Sequence, residues 1–416
     1  MTSKLRLAAL LLLVTTAPGC VAETDVEEDM SGASTDAITD VNHSAVKRQS
    51  IGNCWLYATA SWAESLHKSV ANEELNMSES YWNYWYWFEQ IANGGLSGGE
   101  IQTGGWYSTG VDLISRYGIM MEADFIPEEA NAEMSGRQKS ALDAINLSLK
   151  SGALSTAAAR KDRQLVRKEL NRVWGLQPAV VTQMDSVFGP KVTRTLDRWA
   201  STKNTKVVRA REISVRTMDS TTKKMATVTL ADAIGTKAST YAARTGRYAW
   251  QSISYPTWDA TSRRATLRRM QTAMHDQNPV ILSWFVDFNA LDAQGRFMAP
   301  PATPGHQGGH MVVMEDYEID NVPGFGTLKA GVKETRPDAL KAALDPAATI
   351  KFLRIKNSWG SYRVDRQFVL PGYHDLYMAY LNGPVKQCRA KADGSPDTSS
   401  CWDDTPLNDL VLPAGY

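Results

Sequence analysis

No charge of one sign predominates in this chain. Its 45 lysines and arginines balance 45 aspartates and glutamates, so the formal net charge is zero. That balance argues against a nucleic-acid-binding protein, which needs a basic face to neutralise phosphates. Metal-ligand spacing is also lacking. His306 and His310 in GHQGGH form the nearest approach to a metal pair, but no cysteine, aspartate or glutamate cluster completes a site at that spacing. Neither a metal nor an organic cofactor is therefore expected. The apolar run Leu7–Val14 is too short to cross a bilayer in the mature protein. Cysteine is scarce, at four in 416 residues, so each one asks for its own account.

The first twenty residues read as a targeting segment, with Lys4 and Arg6 as the basic end and Leu7–Val14 as the apolar stretch. APGC, residues 17–20, resembles a bacterial lipobox in which Cys20 is acylated, although the proline before Gly19 makes it imperfect. Ordinary secretion with cleavage after Ala22 is the alternative. Both place the mature chain outside the cytoplasm, and the first makes the membrane a partner through a lipid anchor. Residues 21–40 are acidic and poor in aromatics, the composition of a solvated tether.

The chain is organised around QSIGNCWLYA, residues 49–58. A cysteine followed by an aromatic and then an apolar helical run has the form of a nucleophile at a helix N-terminus, where the dipole and free N–H groups favour a thiolate. Gly52 and Asn53 suit a tight turn with positive φ leading into that helix. Trp55, Ala58, Trp62 and Leu66 recur at helical spacing and give it a buried face. Alone, Cys54 reads equally well as a small core residue. Two distant stretches bear on the choice: His310 in GGHMVVMEDYEID and Asn357 in FLRIKNSWGS, each on an apolar strand-like run. A thiol needs a base, and the base needs a third group to orient its ring.

Cysteine, histidine and asparagine in this order, in GNCW, GGH and NSWG, resemble the papain-like cysteine peptidases. The order of NCWLYA, a helix opening SESY, and GGW before LISRYG is most similar to the bleomycin hydrolase branch. The resemblance implies an α+β, two-lobed fold with a helical lobe and an antiparallel β-rich lobe. It implies Cys54 as nucleophile, His310 as base and Asn357 as its orienter, acting on peptide or protein substrates. Gln49 would supply the oxyanion-hole donor, Gly104 and Gly105 would line the substrate cleft, and Trp359 would cover the histidine–asparagine bond. Position six before the cysteine, where the family carries its glutamine, is Arg48; Gln49 stands five before. His310 also lies well past the roughly 130–150 positions that separate nucleophile and partners in papain-like signatures. A large, partly helical insertion accounts for that excess. His306 competes with His310 for the base, but His310 leads directly into the strand. No room is left between Cys20 and Gln49 for a long folded prosegment.

The chain thus divides into residues 1–20, a lipoprotein signal; 21–48, the tether; 49–130, the helical lobe; 131–245, the insertion; 246–386, the β-rich lobe; and 387–416, a C-terminal tail closed by a Cys388–Cys401 disulfide. Such a disulfide suits an oxidising compartment. Within this scheme YWNYWYWF, residues 81–88, reads as a core helix, and the alternation at 207–230 predicts a few strands. His275 reads as a surface or core residue. Two other readings of the same chain are an inactive surface lipoprotein that binds peptides or glycans, and an acyl transferase. In the bleomycin hydrolase branch the chain's end enters the cleft; whether LVLPAGY, residues 410–416, does so is left open.

Overall fold

A computed structural model of the chain describes residues 41, 43–238, 243–361, 370–391 and 393–416. The targeting segment with Cys20, and most of the tether, lie outside the described residues. Among the described residues no helix is long and apolar enough to cross a membrane.

Two apolar cores divide the molecule, and the fold class is α+β. The helical core is built on Cys54–Ala71, Glu79–Ala92 and Tyr107–Tyr117. The expected aromatic helix is there. Ser78 caps it by accepting from the Tyr81 N–H, and Trp82, Trp85 and Trp87 are fully buried. Trp85 stacks on Tyr117 with centroids 4.1 Å apart.

The insertion is not a separate body. Its helices Arg137–Ser151, Arg163–Val173 and Pro178–Phe188 contribute Ile145, Leu170, Trp174 and Phe188 to the core of the Cys54 helix. Trp87 meets Trp174 at 5.0 Å, and the Arg167 guanidinium lies over the Trp85 ring. The expected strands appear as one antiparallel pair, Ser214–Met218 with Met225–Thr229. Residues 210–212 instead form a short 3₁₀ turn, tied by the Arg209 N–H to Glu212.

The second core lies on a mostly antiparallel sheet. Its order is Trp250–Ser254, Leu407–Pro413, Ile281–Asp287, Gln307–Val322, Thr349–Lys356, Tyr373–Tyr377, with the short Arg296–Phe297 added in parallel at the edge. The strand Ile281–Asp287 is buried at every position, as expected for an unbroken apolar run between neighbours.

The C-terminal tail differs from its expected form. Val385–Ala390 and Pro396–Asp404 make a hairpin, with Cys388 and Cys401 bonded across a directly opposed pair. Residues 407–413, however, are a strand deep in the sheet, hydrogen-bonded on both sides. Its apolar residues Leu407, Leu410, Val411 and Leu412 are buried, which a free tail would leave in water. Beyond it, the Tyr416 hydroxyl bonds Asp276 at 2.7 Å and accepts from Asn278.

Candidate active site

Cys54 is the first residue of its helix, as the sequence suggests, but the turn before it is not of the expected kind. Asn53 has φ −121°, and neither it nor Gly52 is among the residues of positive φ. The Asn53 side chain is held instead by Gln138 of the insertion, its Nδ2 donating to Oε1 at 3.0 Å. A side chain fixed from outside removes the need for a left-handed turn.

The sheet brings the histidine and the asparagine to this helix start. His310 pairs with Trp284 across the strands, and Asn357 is the first residue beyond Lys356, where the chain leaves the sheet. The Asn357 N–H then bonds the Gly372 carbonyl. His310 Nε2 and Asn357 Oδ1 are 2.7 Å apart, and the Ser358 N–H donates to the same oxygen at 2.7 Å. Two donors converging on one atom identify it as the carboxamide oxygen, so Nε2 carries the ring proton. Nδ1 is then the basic atom. It is buried without a hydrogen-bond partner among the described residues. The next residue, Met311, donates its N–H to Cys54 Sγ at 3.3 Å, which sets the sulfur beside the imidazole's own backbone.

Trp359 lies over the ring, centroids 4.7 Å apart and planes 22° from parallel, and is itself buried. Burial pushes the His310 pKa down to about 4, against the opposing bond to Asn357. The imidazole is therefore neutral at neutral pH in this state.

The state of the sulfur bears on its reactivity. Cys54 is disulfide-bonded, and no cysteine among the described residues is free. A disulfide sulfur holds no thiolate, so attack by Cys54 requires that bond to be reduced first.

Gln49 sits where the strand end meets the helix start. Its N–H bonds the Ser358 carbonyl, its Oε1 accepts from the Ser358 hydroxyl at 2.5 Å, and its Nε2 donates to Ile51 O at 2.9 Å. Gly105 is forced to be glycine by packing, because a Cβ there would stand 2.5 Å from the Trp55 ring. Gly104 turns its carbonyl to the Tyr86 hydroxyl. A small cavity of about 20 Å³ joins Gly105 and Trp106 to Ser283, Gly309, His310 and Asn408. His306 stands apart, its Nδ1 3.1 Å from the Gly394 carbonyl in the disulfide hairpin. His275 contacts the Tyr317 hydroxyl and is largely buried.

No protein-family model matches this sequence, and no curated protein matches it. Solved structures overlap it loosely. PepW from Lactobacillus rhamnosis aligns at TM-score 0.43 and 12% identity, over 91% of this chain and 82% of its own. Xylellain, a cysteine protease from Xylella fastidiosa, gives 0.34 and 10%, over 95% and 94%. The bromelain protease from Ananas comosus gives 0.31 and 13%, over 91% and 94%. Overlaps this loose lend no weight to fold or chemistry, which rest here on topology and on the geometry of the site.

Sequence reasoning missed Ser358, Ser283, Asn408 and Gln138. Ser358 had a signal, since it lies inside NSWG between two residues already singled out. Asn408 and Ser283 had none, because strands distant in sequence bring them to the cavity.

Proposed function

We propose that the reduced form of this protein is a papain-like cysteine peptidase. The observation that carries the reading is the buried His310–Asn357 bond, made by Nε2, with the unpartnered Nδ1 one residue from the N–H that touches Cys54 Sγ. Once the sulfur is freed, Nδ1 takes its proton, and the resulting anion stabilises the imidazolium that burial otherwise disfavours. The thiolate bonds to the carbonyl carbon of a peptide. The Cys54 N–H and the Gln49 carboxamide hold the oxyanion. The Nδ1 proton goes to the leaving nitrogen, the C–N bond breaks, and a thioester remains. Water attacks it with His310 as base, the C–S bond breaks, and the acid leaves. Asn357 keeps the ring tautomer throughout. Gly104, Gly105 and Trp106 form the near wall for the substrate backbone.

The test is hydrolysis of a peptide library by reduced wild-type protein and by Cys54→Ala. Turnover is expected from the first and none from the second; equal rates in both sink the proposal. A second reading has one observation behind it, the disulfide at a fully buried Cys54. It makes the chain a peptide-binding protein whose cysteine is structural, and a reduced protein that binds peptides without cleaving them supports it. Anchoring through acylated Cys20 is a separate proposal, read from the mass of the mature N-terminus.

A further inference from the structure

Two turns along the same face of the Cys54 helix, the lobes bury a second set of polar groups. Lys356 immediately precedes Asn357 and is 5% exposed. Its ammonium donates to the Ser61 hydroxyl and to the Ser44 hydroxyl, both at 3.0 Å. Ser61 lies two turns along the helix that begins at Cys54. Ser44 belongs to the N-terminal arm, and its hydroxyl donates to Glu64 of that helix at 2.5 Å. Glu64 also accepts the Met77 N–H and lies 3.6 Å from Lys47, which pairs with Glu79 at 2.8 Å. A cavity of about 10 Å³ lies between Lys47, Tyr57, Ser61, Lys356 and Asn357. One ammonium thus reaches from the residue next to Asn357 to the body of the Cys54 helix.

We propose that Lys356 is a positioning residue: by bridging to Ser61 and Ser44 it fixes the strand end that presents Asn357 against the helix that presents Cys54. The geometry gives the reason. His310 and Asn357 come from one lobe and Cys54 from the other, and a small slide between lobes separates sulfur from imidazole while leaving each lobe's core intact. Attack distances tolerate little such movement. Apolar packing alone resists sliding weakly, whereas a buried ammonium with two fixed acceptors has one geometry in which it is satisfied.

The lysine is held there against its own preference. Burial pushes its pKa down to about 8, opposed by Glu64 on the helix, lowered further by Lys47 on the arm, and raised by Glu315 on the His310 strand and Glu79 on the next helix. His43 of the arm faces Glu315 at 2.7 Å, and the Tyr57 phenol lines the cavity. Methionine of similar length would fill the space without the desolvation penalty, so the charge is not required for packing.

This inference rests on the peptidase reading for its activity readout, and a second readout is independent of it. Lys356→Met and Ser61→Ala are compared with wild type after reduction, first by peptide hydrolysis and second by the rate of iodoacetamide alkylation of Cys54. For Lys356→Met we expect kcat to fall about tenfold with KM within about twofold, and alkylation to slow by a similar factor. Ser61→Ala, which cuts the tie to the helix alone, moves both in the same direction by less and stands in if Lys356→Met does not fold. A purely structural lysine lowers thermal stability without that kcat–KM split. If both variants keep kcat and alkylation rate within twofold of wild type, the positioning role is wrong and the peptidase reading stands. If wild type cleaves no peptide but Lys356→Met slows alkylation, the peptidase reading fails and the positioning role stands.

Discussion

Along the lobe interface, a front at Cys54 and a back two turns along its helix bury comparable numbers of polar groups of different chemical kinds. The front holds an imidazole, carboxamides and a hydroxyl: His310, Asn357, Gln49 and Ser358. The back holds acidic and basic side chains: Lys47, Glu64, Glu79, Glu315 and Lys356. Burying an ion is costly unless it is paired and bonded, and once satisfied it resists change. Neutral groups cost less to bury and leave protonation free to move. The proposed exchange of a proton between sulfur and imidazole is served by the second kind, and the acidic and basic set lies two turns further along the Cys54 helix.

The largest effect breaks the front. Oxidised protein is expected to be silent toward peptides and to gain activity on reduction, and Cys54→Ala is expected to lose at least about 10³-fold whatever the reductant. Hydrolysis by oxidised protein at the reduced rate contradicts this. Next, Asn357→Ala frees the His310 ring to turn and to shift tautomer. A drop in kcat of about 10²-fold is expected, with peptide binding nearly unchanged, measured by steady-state kinetics.

The third prediction breaks the back. Burial, with Glu79 nearby, pushes the Glu122 pKa up to about 8. Between the ordinary carboxylate value and about pH 8 the folded state binds more protons than the unfolded one, so stability falls as pH rises through that window. Glu122→Gln removes this dependence, worth on the order of a few kcal/mol by pH 8 at about 1.4 kcal/mol per unit, as read from urea titrations at several pH values. An unchanged slope in the variant rules it out.

The smallest effect sharpens the contrast. In the oxidised protein His310 titrates near 4, below its ordinary value, so the folded state binds fewer protons between about 4 and 6.5. Its contribution to stability is present above that window and is lost on acidification through it. Reduction places a thiolate beside the ring and moves the midpoint upward, visible in the ring-proton NMR shifts.

Local pattern made much of this legible. Helical spacing marked the aromatic helix and the Cys54 helix, and apolar runs marked the strand that carries His310 and the strand that leads to Asn357. Three short motifs named the side chains that the fold then gathers. What stayed hidden depends on pairing across long separations. The Lys356–Ser61 bond joins residues 295 apart, and no periodicity points from one to the other. LNDLVLP resembles any chain end until two neighbours hydrogen-bond to it. The turn before Cys54 misled because Gly52 and Asn53 carry the local signal for positive φ, while the decisive contact comes from Gln138, far along the sequence.

The strand Leu407–Pro413 sits between Trp250–Ser254 and Ile281–Asp287, which do not pair with each other. The β-rich lobe therefore cannot close its sheet until synthesis has run through Pro413. Before then two edges stand open and sticky, and the wall that carries Asn408 does not exist. A chain lacking those last residues would hold the Cys54 helix beside an open sheet, so one strand both covers the sticky edges and completes the cavity wall.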